Sequence, residues 1–236
     1  MKNSKKKALE YLEKDSLFHM GIIFPITRES ADIIYAQSDG VFIKDRESGA
    51  YMLSVSNFDK GRELVDEAGR QVLFCVFQED MANYISEKYA FGKCMENFQA
   101  VYKSGEPITA SQTGLNICPL PLDYLDTLYE HYHDDVDYDY LKRRLERGAI
   151  YGGFFEEELC GFVGTHEEGS IGILKVFEKF RGRGFAFALE GYMLNLFLNR
   201  GAVPFAQVKP GNEASIKLHK KLGFELSSAK LYWLFD

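Results

Sequence analysis

The stretch FEKFRGRGFAFALEGY, residues 177–192, decides how this sequence is interpreted. Two arginines alternate with two glycines in Arg181-Gly182-Arg183-Gly184, and an apolar pattern with helical spacing follows at once. The run SIGILKVF at 170–177 has the composition of a strand. We therefore predict a strand, a turn rich in glycine, and a helix over 184–200.

A turn of this kind can bind nucleic acid, a nucleotide or another phosphate ligand. The chain has 28 Lys and Arg against 35 Asp and Glu, a net charge of −7, whereas nucleic-acid binders present a basic surface. The dinucleotide fingerprint G-x-G-x-x-G/A fails because Phe187 fills its last position, and the P-loop lysine is absent. We therefore expect no nucleic-acid partner and neither nucleotide motif.

Two interpretations of the turn remain open from these residues alone. Glycines let a ligand approach the backbone closely, and the first N–H groups of a helix carry the positive end of its dipole. Such groups bind a diphosphate, and each charge-assisted hydrogen bond contributes roughly 1.5–3 kcal/mol. The alternative is an ordinary strand-to-helix turn with solvated arginines.

The composition predicts a folded chain with two halves. Hydrophobic residues make up 46% and aromatic residues 14% of 236 positions, enough for a packed core. The polar run KSGEPITASQTG, 103–114, is the best linker candidate, and we predict domains over 1–108 and 113–236. The second half has the order β-α-α-β-β-β-α-β-α-β, which favours the α/β class with a mixed sheet.

The remaining sequence features indicate the cellular compartment of the protein. Four scattered cysteines form no C-x-x-C pair, which argues against a thiolate zinc site and predicts a reducing, cytoplasmic location: they are Cys75, Cys94, Cys118 and Cys160. No apolar run approaches the roughly 20 residues of a membrane helix. The lysine-rich start is typical of a short amphipathic helix, so we expect no signal peptide and no membrane partner.

Two separated motifs resemble the GNAT superfamily of N-acetyltransferases. The stretch LKVFEKFRGRGFA resembles its acyl-CoA signature R/Q-x-x-G-x-G/A, with the positions filled by Arg181, Gly184 and Ala186. The stretch GNEASIKLHKKLGFE resembles its later block through Asn212, Lys221, Gly223 and Phe224. The resemblance implies a tandem GNAT-like fold, with a complete acyl-CoA-binding domain at the C-terminus. The N-terminal half resembles the degenerate half of glycine N-acyltransferase-like members and is expected to bind no cofactor.

The resemblance also implies a cofactor, acetyl-CoA, and residues that contact it. The expected contacts are Leu174, Lys175, Val176, Arg181, Gly182, Arg183, Gly184, Phe185, Ala186, Asn212 and Ser215. Backbone groups of 174–176 are expected to face the pantetheine arm and the acyl carbonyl, and those of 181–186 the diphosphate. Asn212 is also a candidate helix cap.

The catalytic positions depart from the family pattern. His219 stands where members often have a tyrosine that protonates the leaving thiolate, and Ser170 stands where many have a glutamate base. A histidine can donate a proton near neutral pH, but a surface histidine is the alternative. Glu168, with Glu167 and His166, can reach the site directly or through water, or carry solvated charges at a turn.

The acceptor side is least defined by the sequence. The acidic loop HYHDDVDYDY, 131–140, predicts either recognition of a cationic amine or aspartates that cap the next helix. Its spacing matches no metal site. The predicted function is acetyl transfer from acetyl-CoA to a primary amine of a small molecule or peptide. The alternative is a CoA-binding sensor without activity. We expect a monomer, with a dimer as the alternative.

Overall fold

The computed structural model describes residues 2–109, 113–132 and 136–236, apart from the side chain of Lys2. Asp134 and Asp135 of the acidic loop lie outside these residues. No helix of the described stretches is long and apolar enough to cross a membrane.

Backbone contacts divide the chain into two compact units. Unit 1 contains the chain up to Val101 with Gln207–Ile216 and Glu225–Asp236. Unit 2 contains Tyr102–Ala206 and Lys217–Phe224. These units are defined by packing, and the domain limits proposed above, 1–108 and 113–236, stay a prediction.

Unit 1 consists of paired strands with helices packed on them. Its helices are α1 (Lys2–Leu12), α2 (Met20–Thr27), α3 (Phe58–Ala68) and α4 (Glu79–Tyr89). Its strands are β1 (Ala31–Gln37), β2 (Gly40–Asp45), β3 (Tyr51–Val55), β4 (Phe74–Val76), β5 (Lys93–Val101) and the last strand, β11 (Glu225–Phe235). They follow the order β1-β2-β3-β4-β11-β5, with β3 and β4 parallel and the other neighbours antiparallel.

Helix α3 shows how local signals fix an element. The Oδ1 atom of Asn57 accepts the N–H of Lys60 at 3.0 Å and caps the first turn. At the other end Gly69 adopts a φ of +70° and donates its N–H to Val65 O at 3.0 Å. Asn and Gly at these positions are the usual start and stop signals of a helix.

The parallel strands β3 and β4 are closed by a side chain where they end. The Phe77 N–H donates to Leu53 O at 3.1 Å and extends their pairing. Beyond it, Gln78 Oε1 accepts the Val55 N–H at 3.0 Å, and Gln78 Nε2 donates to Ser54 Oγ at 3.2 Å. The backbone of β3 is therefore satisfied by its own unit.

A buried histidine joins the same hydrogen-bond network. His19 Nδ1 lies 3.0 Å from Leu12 O, so this nitrogen carries the hydrogen, and Nε2 accepts the Ser54 hydroxyl at 2.9 Å. Burial lowers the pKa of His19, and the contact with the Leu12 carbonyl acts in the opposite direction. Folding of unit 1 therefore favours the neutral imidazole.

Unit 2 contains most of the second half of the chain. Its helices are α5 (Leu125–Tyr132), α6 (Tyr138–Glu146) and α7 (Phe185–Asn199), with short 3-10 turns at Leu122–Tyr124 and Glu178–Phe180. Its strands are β6 (Asn116–Pro119), β7 (Ile150–Phe155), β8 (Glu158–Thr165) and β9 (Ile171–Val176). Strand β10 (Phe205–Val208) and helix α8 (Glu213–Leu222) carry residues assigned to both units. The strand order is β10-β9-β8-β7-β6, with β10 and β9 parallel.

Apolar side chains of α5, α6 and the central strands form one core of unit 2. Its fully buried members include Leu128, Leu141, Phe162 and Ile173. Helix α7 is apolar on nearly every face, which is typical of a helix surrounded by protein. Glu190 is the exception in the middle of this helix, and it is buried.

The structure confirms the predicted α/β class with mixed strand pairing. The order predicted for the second half is present as β6-α5-α6-β7-β8-β9-α7-β10-α8-β11. Helix α2 has no amphipathic pattern in the sequence, because Pro25 lies inside it and its residues are apolar on all sides. Strand β11 is longer than its apolar run LYWLF, since it begins at Glu225.

We expect unit 1 to lose stability as the pH falls below about 6.5, the ordinary pKa of histidine. Since folding lowers the pKa of His19, the unfolded chain binds a proton that the folded chain does not, and acid favours unfolding. Thermal unfolding of the wild type between pH 7.5 and 5 should show this fall. His19→Gln should be less stable at neutral pH and depend less on pH. An equal pH slope in both proteins would contradict the assignment.

Candidate functional site

Strand β9 is interrupted by a bulge. Its register with β8 shifts by one residue between the pairs Phe162↔Lys175 and Gly164↔Gly172. Within this interval Ile173 adopts a φ of +50°, a conformation that a β-branched residue rarely takes. Ile173 is 1% exposed and belongs to the core of unit 2, so packing holds this strained backbone in place.

The last residues of β9 lack a parallel neighbour. Strand β10 pairs with β9 at the single position Ala206↔Ile171. The Phe177 N–H donates to Cys160 O of β8 at 3.0 Å. Because successive strand residues direct their N–H and C=O groups to opposite edges, the groups of Val176 point to the edge away from β8. Within the part of the chain that is described, no β10 residue pairs with Val176.

The turn after β9 ends in two glycines with left-handed backbone. The Arg181 N–H still donates to Glu178 O at 3.2 Å. Gly182 then has a φ of +77° and Gly184, the residue before α7, a φ of +80°. The Gly184 carbonyl accepts the first helical hydrogen bond, from Ala188 N at 3.1 Å. In the described residues no backbone or side-chain acceptor receives the N–H groups of 182–187.

These N–H groups form a cradle, defined here as the backbone of residues 182–187. They lie at the N-terminus of α7, where the helix dipole adds positive charge. No heavy atom lies within 4 Å of a Cβ built at Gly182, so the space beside this backbone is open. The cradle has the donors and the charge to hold a phosphate group.

The arginine side chains of the turn contact neighbours. Arg181 Nη1 lies 3.3 Å from Glu178 Oε1, in an exposed pair. The Arg183 guanidinium lies over the rings of Phe155 and Phe180, at 5.8 and 5.6 Å. The donors of the site are therefore backbone groups in the first place, with Arg183 as an additional positive charge.

The predicted contacts Asn212 and Ser215 belong to unit 1 and are linked to each other. Asn212 Oδ1 accepts the Ser215 N–H at 3.1 Å, and Asn212 O accepts the Ile216 N–H at 3.0 Å. Asn212 is thus the N-cap of α8, one of the two roles considered for it. Contact of these residues with a cofactor stays a prediction.

His219 is buried, which differs from the surface position considered above. Its Nε2 atom lies 2.7 Å from Glu190 Oε1, and the two side chains are 6% and 2% exposed. The edge of its ring meets Phe224, with centroids 5.1 Å apart. The pair links α8 to α7 inside unit 2. The sequence signal for Glu190 was a lone charge within an apolar helix, which requires a buried partner.

Glu168 and Ser170 are brought together in the turn between β8 and β9. The Ser170 hydroxyl donates to Glu168 Oε1, and the two residues are 1% and 7% exposed, respectively. The turn is closed by the His166 N–H, which donates to Ser170 O at 2.9 Å. The interpretation of Glu168 as a solvated charge is wrong, since burial leaves its carboxylate little contact with water.

Two further residues of α6 reach this turn and were not predicted. The Tyr140 hydroxyl lies 2.8 Å from His166 Nδ1. The Arg144 guanidinium donates to Thr165 O at 2.8 Å and is 6% exposed. Burial raises the pKa of Tyr140, and the Glu168 charge raises it further; burial lowers the pKa of Arg144. Their i, i+4 spacing on one helix face was the signal in the sequence.

A cleft of about 570 Å³ lies beside the residues that lead into the turn. It is lined by Tyr124, Thr127, His131, Glu158, Leu159, Phe177, Glu178 and Lys179. Its volume falls in the range of small-molecule sites. Of the acidic loop, Asp137 accepts the Tyr140 N–H at 2.6 Å and caps α6, as one interpretation predicted. Among the described residues no group of three or more His, Cys, Asp and Glu could hold a metal ion.

Comparisons with known proteins identify this architecture. The model of the FR47-like protein family matches residues 150–234. A Drosophila protein of known structure is 15% identical, with a TM-score of 0.70 over 100% of this chain and 97% of its own. A GCN5-related N-acetyltransferase-like protein from Streptococcus suis is 18% identical, with a TM-score of 0.56 over 97% and 100%. No curated protein sequence matches the chain.

A tandem GNAT protein from the clavulanic acid biosynthesis pathway is also similar. It is 12% identical, with a TM-score of 0.50 over 98% of this chain and 95% of its own. At these identities the similarity establishes the fold. The chain therefore has the tandem GNAT fold, and the resemblance of its sequence motifs to that superfamily is confirmed.

We expect Glu190→Ala to lower the free energy of unfolding by about 2–3 kcal/mol, because it leaves His219 buried without its carboxylate partner. Lys217→Ala, at an exposed position of the same helix α8, is the control and should change stability by less than about 0.5 kcal/mol. Urea unfolding of the variants measures both values. Equal stability of the two variants would show that the pair contributes nothing.

Proposed function

We propose that this protein is an N-acyltransferase that transfers an acetyl group from acetyl-CoA to a primary amine of a small molecule or peptide. The observation that carries the proposal is the cradle: consecutive N–H groups at 182–187 without an acceptor in the described chain, at the start of an apolar helix. An anionic diphosphate matches these donors in charge and number. The tandem GNAT fold supports the same ligand.

The unpaired edge of β9 suits the rest of this ligand. The N–H and C=O groups of Val176 face that edge and can pair with the amides of a pantetheine arm. The Val176 N–H can also stabilise negative charge on the acyl carbonyl oxygen as the amine attacks. Bound acetyl-CoA would supply the activated thioester. The protein supplies its orientation and the oxyanion donor.

The acceptor is proposed as an amine that attacks directly. Cys160 is poorly suited to form an acyl-enzyme, because it donates to Gly153 O and burial raises its pKa to about 11. No disulfide joins the cysteines of the described residues, which is compatible with the proposed cytoplasmic location. We retain a monomer without a nucleic-acid partner as part of the proposal.

A CoA-binding sensor without activity is the second candidate. The position of His219 favours it, because its Nε2 faces Glu190 inside unit 2. The hydrogen bond from the Ser170 hydroxyl to Glu168 also favours the sensor.

Gly182→Glu should weaken CoA binding at least tenfold, because a carboxylate at the cradle repels the diphosphate. The control is Gly201→Glu, which is exposed, has a φ of +68° and has no heavy atom within 4 Å of its Cβ position. Both variants carry the same backbone strain. Isothermal titration with CoA and acetyl-CoA compares their dissociation constants with the wild type. Equal affinity of the two variants for CoA would contradict the assignment of the cradle as the diphosphate site.

Turnover separates the two candidate functions. The wild type should release CoA thiol from acetyl-CoA in the presence of at least one primary amine, with the N-acetyl product seen by mass spectrometry. A panel of alkyl amines, arylalkyl amines and lysine peptides is paired with the matching alcohols, which should react far more slowly. Binding of acetyl-CoA without turnover of any amine would support the sensor instead.

A further inference from the structure

One wall of the cleft of about 570 Å³ is a single face of helix α5. Tyr124, Thr127 and His131 follow the spacing i, i+3, i+7, line the cleft, and are half-buried. The neighbouring face of the helix carries Leu125 and Leu128, which are buried in the core of unit 2. The helix is therefore held by its core face and presents a second, partly polar face to the cleft.

The opposite wall is apolar and contains an aromatic ring. Leu159, at the start of β8, and Phe177, directly after β9, line it, and both side chains also pack against the core of unit 2. The centroid of the Phe177 ring lies 4.2 Å from that of His131 and 6.1 Å from that of Phe162. With Tyr124, three of the eight lining residues carry rings. Such walls favour an aromatic ring, which gains from offset and edge contacts that an aliphatic chain does not make.

The rim of the cleft carries more negative than positive charge. Glu158, Glu178 and Lys179 line it, and Lys179 is paired with Glu158. Glu178 is paired with the exposed Arg181 at 3.3 Å. The two residues of the β7–β8 turn are further glutamates, both exposed, directly before Glu158. The rim therefore attracts a cation and repels an anion.

The cleft adjoins the backbone that is proposed to hold the thioester. Phe177 directly follows Val176, and the Cα atoms of consecutive residues are about 3.8 Å apart. A ring bound against Phe177 is thus one residue away from the N–H proposed to face the acyl carbonyl. A primary amine joined to that ring by two or three bonds can reach the carbonyl. Among the described residues of the acidic loop 131–140, His131 is the one that lines this cleft.

We propose that the cleft binds the aromatic ring of the acceptor, so that the preferred acceptors are primary arylalkylamines, an inference that rests on the proposed function. The ring packs between Phe177 and Leu159 on one side and the α5 wall on the other. The carboxylates of the rim attract the amine and exclude aromatic acids. An alkylamine of similar length leaves the ring wall without an aromatic partner and binds less tightly.

The first test measures binding without turnover. Binding of 4-fluorophenethylamine to the full chain is followed by fluorine NMR in saturating CoA, which carries no acyl group. We expect phenethylamine to displace this probe at a concentration at least about tenfold lower than n-hexylamine needs. The anion 3-phenylpropanoate, which keeps the ring and the chain, should not displace it. Equal displacement by phenethylamine and n-hexylamine would overturn the inference.

The second test fills the cleft from the α5 wall. Thr127→Phe should lower kcat/KM for acetylation of phenethylamine at least about tenfold, mainly through KM, because its ring occupies the space of the acceptor. The affinity for CoA should not change, since the cradle is formed by other residues. Lys142→Phe, at an exposed position of α6, is the control and should keep both values. The displacement test on the wild type decides the matter if Thr127→Phe folds poorly.

The outcomes separate this inference from the proposed function. Wild-type kcat/KM for phenethylamine in a folded Thr127→Phe would overturn the inference and leave the proposed function intact. If the cleft held the acyl chain instead, Thr127→Phe would slow transfer from hexanoyl-CoA and leave acetylation of phenethylamine unchanged, with the same consequence. Absent CoA binding, or CoA binding without turnover of any amine, would overturn the proposed function and the inference together.

Discussion

The partial pairing of strand β9 is the constraint on which the rest of the site depends. A buried β-branched residue, Ile173, is held at positive φ, and the strand leaves register with β8 there. Its pairing with β10 is limited to Ile171 and Ala206. The backbone of Val176 is therefore turned to an edge without a strand, and the cradle begins six residues later. A regular strand would have consumed these hydrogen-bonding groups within the protein.

The first half of the chain shows what happens when that constraint is absent. There the corresponding strand-helix connection is short: β3 ends at Val55, Asn57 caps α3, and no turn rich in glycine intervenes. The strand edge is occupied by Gln78, whose amide oxygen accepts the Val55 N–H. In unit 1 the Gln78 side chain accepts the N–H at the end of β3. In unit 2 no described residue of β10 pairs with Val176 at the end of β9. That the N-terminal half binds no cofactor stays a prediction.

The sequence predicted the backbone of the candidate site where a local pattern carries it. The alternation of Arg and Gly before an apolar run indicated the turn, the helix start and their phosphate-binding potential. It could not predict the bulge, since Ile173 has no local signal for positive φ and is held there by packing. Contacts distant in sequence were also missed, such as Tyr140 with His166 and Glu190 with His219. The fold was largely predictable because strand and helix periods are local properties.

The buried and half-buried polar side chains of unit 2 form two groups, which differ in the residues around them. The pair of Glu190 and His219 lies away from solvent, between two helices. Such a pair fixes the packing of two helices. The groups around His166 differ because the ring is half-buried and its neighbours carry charges of both signs. The pair of Glu190 and His219 therefore belongs to the packing of the helix interface, whereas the turn at 166–170 keeps a polar side chain partly in contact with solvent.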